Sequence, residues 1–377
     1  GQFCRQIFNN YGVTFFLESV ELCDSERNIE ANARQVRYQA LNRHVSEGSI
    51  LVTAQHSDDQ CETLLLALKR GAGALGLSAM PSQLSFGKGS HNRPLLDVSR
   101  ADIVSYAQNN QLQWVEDGSN QDNRFDRNFL RNEILPRLNK RWQGFSKNVA
   151  RSAAVLNQTN QLLDDLAMID FEQSSLPHQA LSIKRLMTLT NARQNNLIRY
   201  WLRLAQFSMP SQAQLQQITQ QTLGAAVDSD PVVKIDDYQV RRYQGAMMAL
   251  KQCKDISGIA IGWTAQSEIT LPDGLGKLVF NQSPHAIRLL APINQHVEIR
   301  FLIAGSYKEW PVGRDKRRTV KKLWQEYHVP TWLRSRTPLV FYGETLVAAL
   351  GVWVEQGYQP AGDDATSATV TIDWIKD

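Results

Sequence analysis

The stretch of this chain best placed to do chemistry is a polar cluster at the end of an apolar strand. Ile50-Leu-Val-Thr-Ala54 is a short apolar run, and His56-Ser57-Asp58-Asp59-Gln60-Cys61-Glu62-Thr63 follows it. An imidazole and three carboxylates so close together could bind an amine, accept its proton or orient a metal. In open α/β sheets, ligands sit beyond the carboxyl ends of strands, and this cluster falls at such an end. Part of it has a purely structural alternative. Asp59-x-x-Glu62 before an apolar run reads as a capping box, and carboxylates at a helix start complement its dipole. That alternative leaves His56 and Asp58 unexplained. A metal site is the looser fit, because the ligand spacing follows no set pattern.

Cations follow at intervals. Arg70 ends the helix that the cluster opens and could reach a phosphate, or could simply complement the helix dipole. Arg93, before Pro94, is a second candidate, or a surface charge. Arg127 and Arg131 stand at i, i+4 on one helical face, the spacing that clamps a phosphate. A solvated basic face is the alternative. Glu116, Asp117, Ser119 and Asn120 form a polar turn that precedes Arg127-Asn128. Near the far end, nine Lys/Arg between Lys308 and Arg336 face only Glu309, Asp315 and Glu326, a local excess of six positive charges in a chain of net +4. Trp310, Trp324, Tyr327 and Trp332 interleave with them. Cations pair with phosphates and aromatics stack on unpaired bases, so a polyanion is the implied partner. The alternative puts Trp324 and Trp332 in the core of a small domain, and it should hold for at least one of them.

The elements that must position these groups change character along the chain. Helices are expected over 3–11, 28–44, 62–69 and 100–110, and strands over 14–20, 50–54 and 112–115. That alternation argues for an open parallel sheet with helices on both faces over 1–145, with the strand at 50–54 buried on both sides. Val149, Ala153, Leu156, Leu163 and Leu166 trace a helical stripe, and a second helix runs through 193–205. Residues 146–254 therefore read as a mainly helical domain closed by a hairpin near 240–250. Residues 255–295 read as short strands and a connector. Residues 296–377 read as a small α+β domain, with a helix at 320–327 and a hairpin turning at Gly343-Glu344.

Composition excludes several classes. Apolar residues make up 42% and charged residues 21% of 377, as in ordinary globular proteins. No apolar run reaches the roughly 18 residues a membrane helix needs. Cys4, Cys23, Cys61 and Cys253 form no Cys-x-x-Cys pair, which argues against a zinc site or disulfide framework and fits a reducing cytoplasm. The start, Gly1-Gln2-Phe3-Cys4-Arg5, shows no secretory signal and no initiator Met.

The motifs together resemble the tRNA(Ile)-lysidine synthetases. His56-x-Asp58-Asp59-x-x-Glu62-Thr63 followed by Arg70-Gly71-x-Gly73-x-x-Gly76-Leu77-x-x-Met80 is similar to that family's signature. So are Ile29-Glu30-Ala31-x-Ala33-Arg34-x-x-Arg37-Tyr38 upstream, and Arg93-Pro94-Leu95-Leu96 and Trp114-x-Glu116-Asp117-x-Ser119-Asn120 downstream. The same holds for Arg127-Asn128-x-x-Arg131-x-x-x-x-Pro136. It holds too for the stretch from Gly313-Arg314 through Lys321-Lys322-Leu323 to Val329-Pro330-x-Trp332-x-Arg334-x-x-x-Pro338. Gly118 stands where the family usually carries a bulkier polar residue.

The resemblance implies an N-type ATP pyrophosphatase (PP-loop) domain, and a ligase that joins L-lysine to the wobble cytidine of a CAU-anticodon tRNA(Ile). ATP, with Mg²⁺, first adenylates the 2-carbonyl oxygen, and the lysine ε-amine then displaces AMP. It implies that His56, Asp58, Asp59 and Glu62 stand at the catalytic rim, leaving open which acid is the base. Arg70, Arg93, Arg127 and Arg131 are implied as nucleotide contacts. Glu116, Asp117, Asn120, Asn128, Arg314, Lys321, Lys322 and Arg334 are implied as tRNA or substrate contacts. The family's Ser-Gly-Gly-x-Asp-Ser phosphate loop has no counterpart in the chain, so the expectation is an N-terminally truncated member that binds ATP poorly and does not turn over alone. An uncovered sheet edge then favours pairing through 1–55, as in a homodimer. Two other readings are a non-catalytic tRNA-binding fragment and a related tRNA thiolase, although the latter usually needs cysteine pairs that this chain lacks.

Overall fold

The computed structural model describes residues 1–20, 29–226, 229–263, 268–280, 286–360 and 368–376, with side chains of 29–31 excepted. Cys23 and the Glu30 and Ala31 side chains of the upstream motif lie outside the described residues. Two compact units divide the chain, Gly1–Ile169 and Asp170–Asp377.

In the first unit, α1 (Gln2–Asn10) and α2 (Ile29–Asn42) precede β1 (Ile50–Val52), which leads into α3 (Ser57–Lys69) and α4 (Ala74–Leu77). The hairpin β2 (Gln83–Phe86) and β3 (Gly89–Asn92) follows, then α5 (Arg100–Asn109). The sheet order is β1-β3-β2, with β1 parallel to β3 and β2 antiparallel to it. The expected open parallel sheet is therefore a small mixed sheet among the described residues. Residues 14–20 and 112–115 are not strands: they make no ladder, and Phe16, Leu17, Trp114 and Val115 are exposed. An apolar run becomes a strand only where a neighbour takes its backbone groups. For the same reason β1 is not buried on both faces. Among the described residues it pairs with β3 alone, and Ile50 and Val52 are 60% and 59% exposed.

α3 begins three residues earlier than the capping-box reading placed it. His56 is its N-cap in extended conformation, and Asp59 reaches back to accept the His56 N–H at 3.0 Å. Glu62 is thereby released from any capping duty. The helix ends at Arg70 and Gly71, whose φ of +65° is a left-handed C-terminal stop that glycine adopts without strain. Beyond a 3₁₀ turn at Gly118–Gln121, α6 (Asp126–Phe129) runs through a π turn (Leu130–Ile134) into α7 (Leu135–Arg141). α8 (Phe145–Ser174) is the long helix predicted from the apolar stripe.

In the second unit, the region expected to be mainly helical carries a sheet as well. β4 (Ser175–Leu176), β5 (Ala180–Ser182), β6 (Val232–Ile235), β7 (Tyr238–Tyr243) and β8 (Ala246–Lys251) form an antiparallel sheet ordered β4-β5-β8-β7-β6. The expected hairpin is β7–β8, turning at Gln244-Gly245. Against this sheet pack α9 (Ile183–Leu186), α10 (Asn191–Leu204) and α11 (Gln212–Ile218), through Leu197, Ile198, Trp201, Leu215, Val233 and Val240.

Residues 255–295 hold the short strands expected there. They supply β9 (Ala260–Trp263), β10 (Glu268–Thr270), β11 (Lys277–Val279) and β12 (Ile287–Leu290), although 264–267 and 281–285 lie outside the described residues. These strands pair with later ones: β13 (Val297–Arg300) takes β9, and β19 (Thr369–Ile375) takes β11 and β12. The short ribbon β14 (Lys308–Glu309) and β15 (Arg318–Thr319) leads into α12 (Val320–Glu326) and α13 (Thr331–Arg334). β16 (Leu339–Tyr342), β17 (Thr345–Ala349) and β18 (Trp353–Val354) complete the sheet on β13, and Gly343 makes the predicted hairpin turn.

Trp201 is fully buried in the α10 core, and its Nε1–H donates to the Gln179 carbonyl at 2.6 Å. Trp201→Ala should cost about 3–5 kcal/mol of stability in urea unfolding. A loss below about 1 kcal/mol would show that this core does not hold the unit together.

Candidate functional site

β1 ends two residues before a cleft of about 1340 Å³ in the first unit, and Ala54, Gln55 and Asp59 form part of its wall. Arg34, Arg37, Ser119, Asn120, Arg127, Asn128 and Arg131 line it from other segments. The polar cluster and the two spaced arginines of α6 and the π turn therefore meet, though they lie more than sixty residues apart in sequence.

Their meeting is an ion network. Glu62 has no exposed surface, and each of its oxygens takes a guanidinium N–H: Arg131 Nε on Oε1 at 2.7 Å and Arg127 Nε on Oε2 at 2.7 Å. Asp59 Oδ1 accepts from Arg131 Nη2 at 2.7 Å and from Arg127 Nη2 at 3.2 Å. Burial opposes the Arg131 charge, but hydrogen bonds to Glu62 and the charges of Glu62, Asp59 and Asp58 outweigh it, so its pKa stands above the ordinary value. The bidentate, fork-like geometry is the strong form of such pairing.

His56 lies between the other two acids, with Nε2 at 3.3 Å from Asp59 Oδ2 and Nδ1 at 3.8 Å from Asp58 Oδ2. Its Nδ1 is buried without a hydrogen-bond partner among the described residues. Asp58 Oδ2 accepts the Arg100 N–H at 2.9 Å, which places this acid at the start of α5 rather than on the cleft wall. With Asp59 and Glu62 oxygens already taken by guanidinium and backbone N–H groups, the set does not fit a magnesium cage. No cluster of three or more metal-ligating side chains occurs among the described residues. The metal-orienting role considered for these acids is not what their geometry supports.

The remaining expected residues scatter. Arg70 folds back on its own helix, Nε to Leu66 O at 3.1 Å, as the dipole alternative has it. Arg93 is neither a surface charge nor on the cleft wall. It is 5% exposed, donates to Pro81 O at 2.7 Å, and burial lowers its pKa. Asp117 caps the 118–121 turn by accepting the Ser119 N–H, and Asn128 pins that turn through Ser119 O and Asp122 O. Asn120 stands on the wall beside it, whereas Glu116 is exposed away from it. In the second unit, Lys321 and Arg334 line one small depression of about 230 Å³ with Gly305 and Ser335. Lys322 is exposed, and Arg314 pairs with Glu326 at 3.3 Å and lies over the Tyr327 ring. Trp324 is core, as expected of at least one tryptophan, and Trp332 packs half-buried on Tyr243.

The sequence reading missed a polar chain behind the cleft. Arg93 Nη2 donates to His91 Nδ1 at 3.2 Å, so His91 carries its proton on Nε2, facing Thr53 Oγ1 at 2.7 Å. Thr53 in turn donates to Gln55 on the wall. His91 is buried and its pKa is lowered, by burial first and then by Arg93 and Arg34. The only sequence signal was a histidine inside an apolar-poor strand, which says nothing of its partners.

Comparison with known proteins identifies the family. Sequence models match a PP-loop domain at residues 1–138, a TilS substrate binding domain at 181–247 and a TilS substrate C-terminal domain at 297–374. The tRNA(Ile)-lysidine synthase of Serratia proteamaculans is 42% identical over 95% of this chain and 82% of its own length. Those of Edwardsiella ictaluri and Photobacterium profundum are each 43% identical over 99% of this chain and 84% of theirs. With three family domains in order and this identity along nearly its whole length, the chain belongs to the tRNA(Ile)-lysidine synthase family.

Proposed function

We propose that this protein is a C–N bond-forming ligase of tRNA modification, which uses ATP to attach L-lysine to the wobble cytidine of CAU-anticodon tRNA(Ile) and makes lysidine in the cytoplasm. The observation that carries the reading is the Asp59/Glu62–Arg127/Arg131 network on a cleft wall, in a chain of this family. In this division of labour residues 1–145 carry the chemistry. Residues 146–254 and 296–377 hold the tRNA, and 255–295 join them.

Free lysine is largely protonated near neutral pH, so its ε-ammonium must lose a proton before it can attack. Asp59 is the acid of the polar cluster that both lines the cleft and touches an imidazole. In our reading the ammonium displaces Arg127 from Asp59 Oδ1, the longer of its two arginine contacts, and yields its proton to the Asp59–His56 pair. The freed amine attacks carbon 2 of the adenylated cytidine. The new C–N bond forms as the C–O bond to AMP breaks, and AMP leaves with that electron pair. The released guanidinium of Arg127 is then available to the departing phosphate. Glu62 stays buried and keeps Arg131 in place.

The direct test uses the protein expressed from its complete gene, with ATP, a CAU-anticodon tRNA(Ile) transcript and labelled lysine. Label should appear at the wobble cytidine. Label absent there, with sulfur incorporated instead, would overturn the reading. Asp59→Asn should raise KM for lysine by about tenfold or more, whereas Glu62→Gln should chiefly cost stability, about 3 kcal/mol in urea unfolding, by leaving two arginines only Asp59 as a carboxylate partner. Equal KM effects from both would put the base elsewhere. Binding of tRNA should weaken linearly on a log–log salt plot, and Lys322→Gln should lower the slope by about 1. An unchanged slope would remove Lys322 from the interface.

A further inference from the structure

The charges on the cleft wall do not balance. Its acids are Glu18 and Asp59. Glu18 is taken by His44 at 2.9 Å and Arg43 at 3.8 Å, and Asp59 by Arg127 and Arg131. Arg34 and Arg37, one helical turn apart on α2, meet no carboxylate among the described residues, yet both are exposed on that wall. Both guanidiniums lie against one ring: Arg34 is 5.2 Å and Arg37 5.8 Å from the Tyr38 centroid. The ring is itself fixed by Phe86 at 5.8 Å and His91 at 5.7 Å. Stacking of this kind limits the freedom of two long side chains before any ligand arrives, which lowers the cost of ordering them on binding. Behind them, burial of His91 first, and then the Arg93 and Arg34 charges, hold that imidazole below its ordinary pKa.

We propose that Arg34 and Arg37, both held against Tyr38, are a phosphate-binding pair that grips the phosphates of whatever polyanion fills this cleft. Planar guanidiniums match phosphate oxygens bidentately, and two of them suit adjacent phosphates or one terminal phosphate. A nucleoside triphosphate and an RNA backbone both offer that chemistry. The proposal rests on reading the cleft as the reaction site, but phosphate binding can be measured with no lysine transfer at all.

The experiment titrates the 377-residue chain at low salt with tripolyphosphate by calorimetry, and with a tRNA(Ile) transcript by filter binding. Arg34→Gln/Arg37→Gln should weaken one or both ligands by about tenfold or more, with Arg34→Lys/Arg37→Lys losing less. Loss confined to tripolyphosphate assigns the pair to the nucleotide, and loss confined to tRNA assigns it to the backbone. Lys184→Gln/Arg185→Gln removes the same charge from the second unit and should leave tripolyphosphate affinity within about twofold. Unchanged affinity for both ligands in the Arg34/Arg37 variant, or an equal loss in the control, overturns the proposal. If the double variant does not fold, the unsubstituted chain still decides. On adding tripolyphosphate, the His91 imidazole resonance should shift and titrate at higher pH, and a resonance that stays put overturns the proposal.

Discussion

A carboxylate with no access to water is the constraint on which the first unit depends. Glu62 sits wholly inside, on the helix that leads away from β1, and an unpaired charge there would cost several kcal/mol. Arg127 and Arg131 meet that demand. They can do so only if α6 and its π turn lie directly on α3. The network therefore fixes where the later segment docks, and with it the Asn120 and Asn128 rim of the cleft. π turns are uncommon and often mark functional positions, and this one holds Arg131. The same bonds that stabilise the wall hold Asp59, Arg127 and Arg131 in place.

How much of this was legible in the sequence depended on distance along the chain. The stop signal of α3 is local, so the helix, its glycine end and the polar cluster could be read directly, whereas its start was placed three residues late. The hairpins at Gly245 and Gly343 could be read for the same reason. The i, i+4 spacing of Arg127 and Arg131 correctly put them on one face, but what that face meets is a long-range fact. Periodicity pointed to a phosphate clamp, whereas the folded chain supplies two carboxylates from more than sixty residues upstream. Arg93 shows the same limit. An arginine before proline looks solvent-facing in sequence, and only the closure of β2 on β3 reveals that Pro81 O and His91 enclose it.

The strands divide along the same line. Residues 14–20 and 112–115 have the composition of strands but find no ladder among the described residues. Residues 260–263 and 287–290 lie in a stretch read as short strands and a connector, and they pair fully with strands far along the chain. Strand formation is a property of two segments, so a single segment's pattern states only willingness. In the second unit α10, α12 and the β7–β8 hairpin could be foreseen because their signals are near in sequence. β5 joining β8, and β19 reaching back to β11 and β12, could not.

These two kinds of interaction also divide the work of the site. Glu62 is buried, doubly paired and far from solvent, which suits it to hold geometry and not to exchange protons. Asp59, at the cleft wall, shares one oxygen between two arginines and faces His56 with the other, so a competing cation could displace one partner without leaving the acid unpaired. Arg34 and Arg37 have no internal acid to satisfy among the described residues, and they keep their charge for the cleft. The wall is thus graded, from a charge pair that must not open, through one that can, to cations that wait for an anion from outside. A reaction that must bind a cationic amine beside a polyanion needs such an order, because complete internal neutralisation would leave neither substrate a partner.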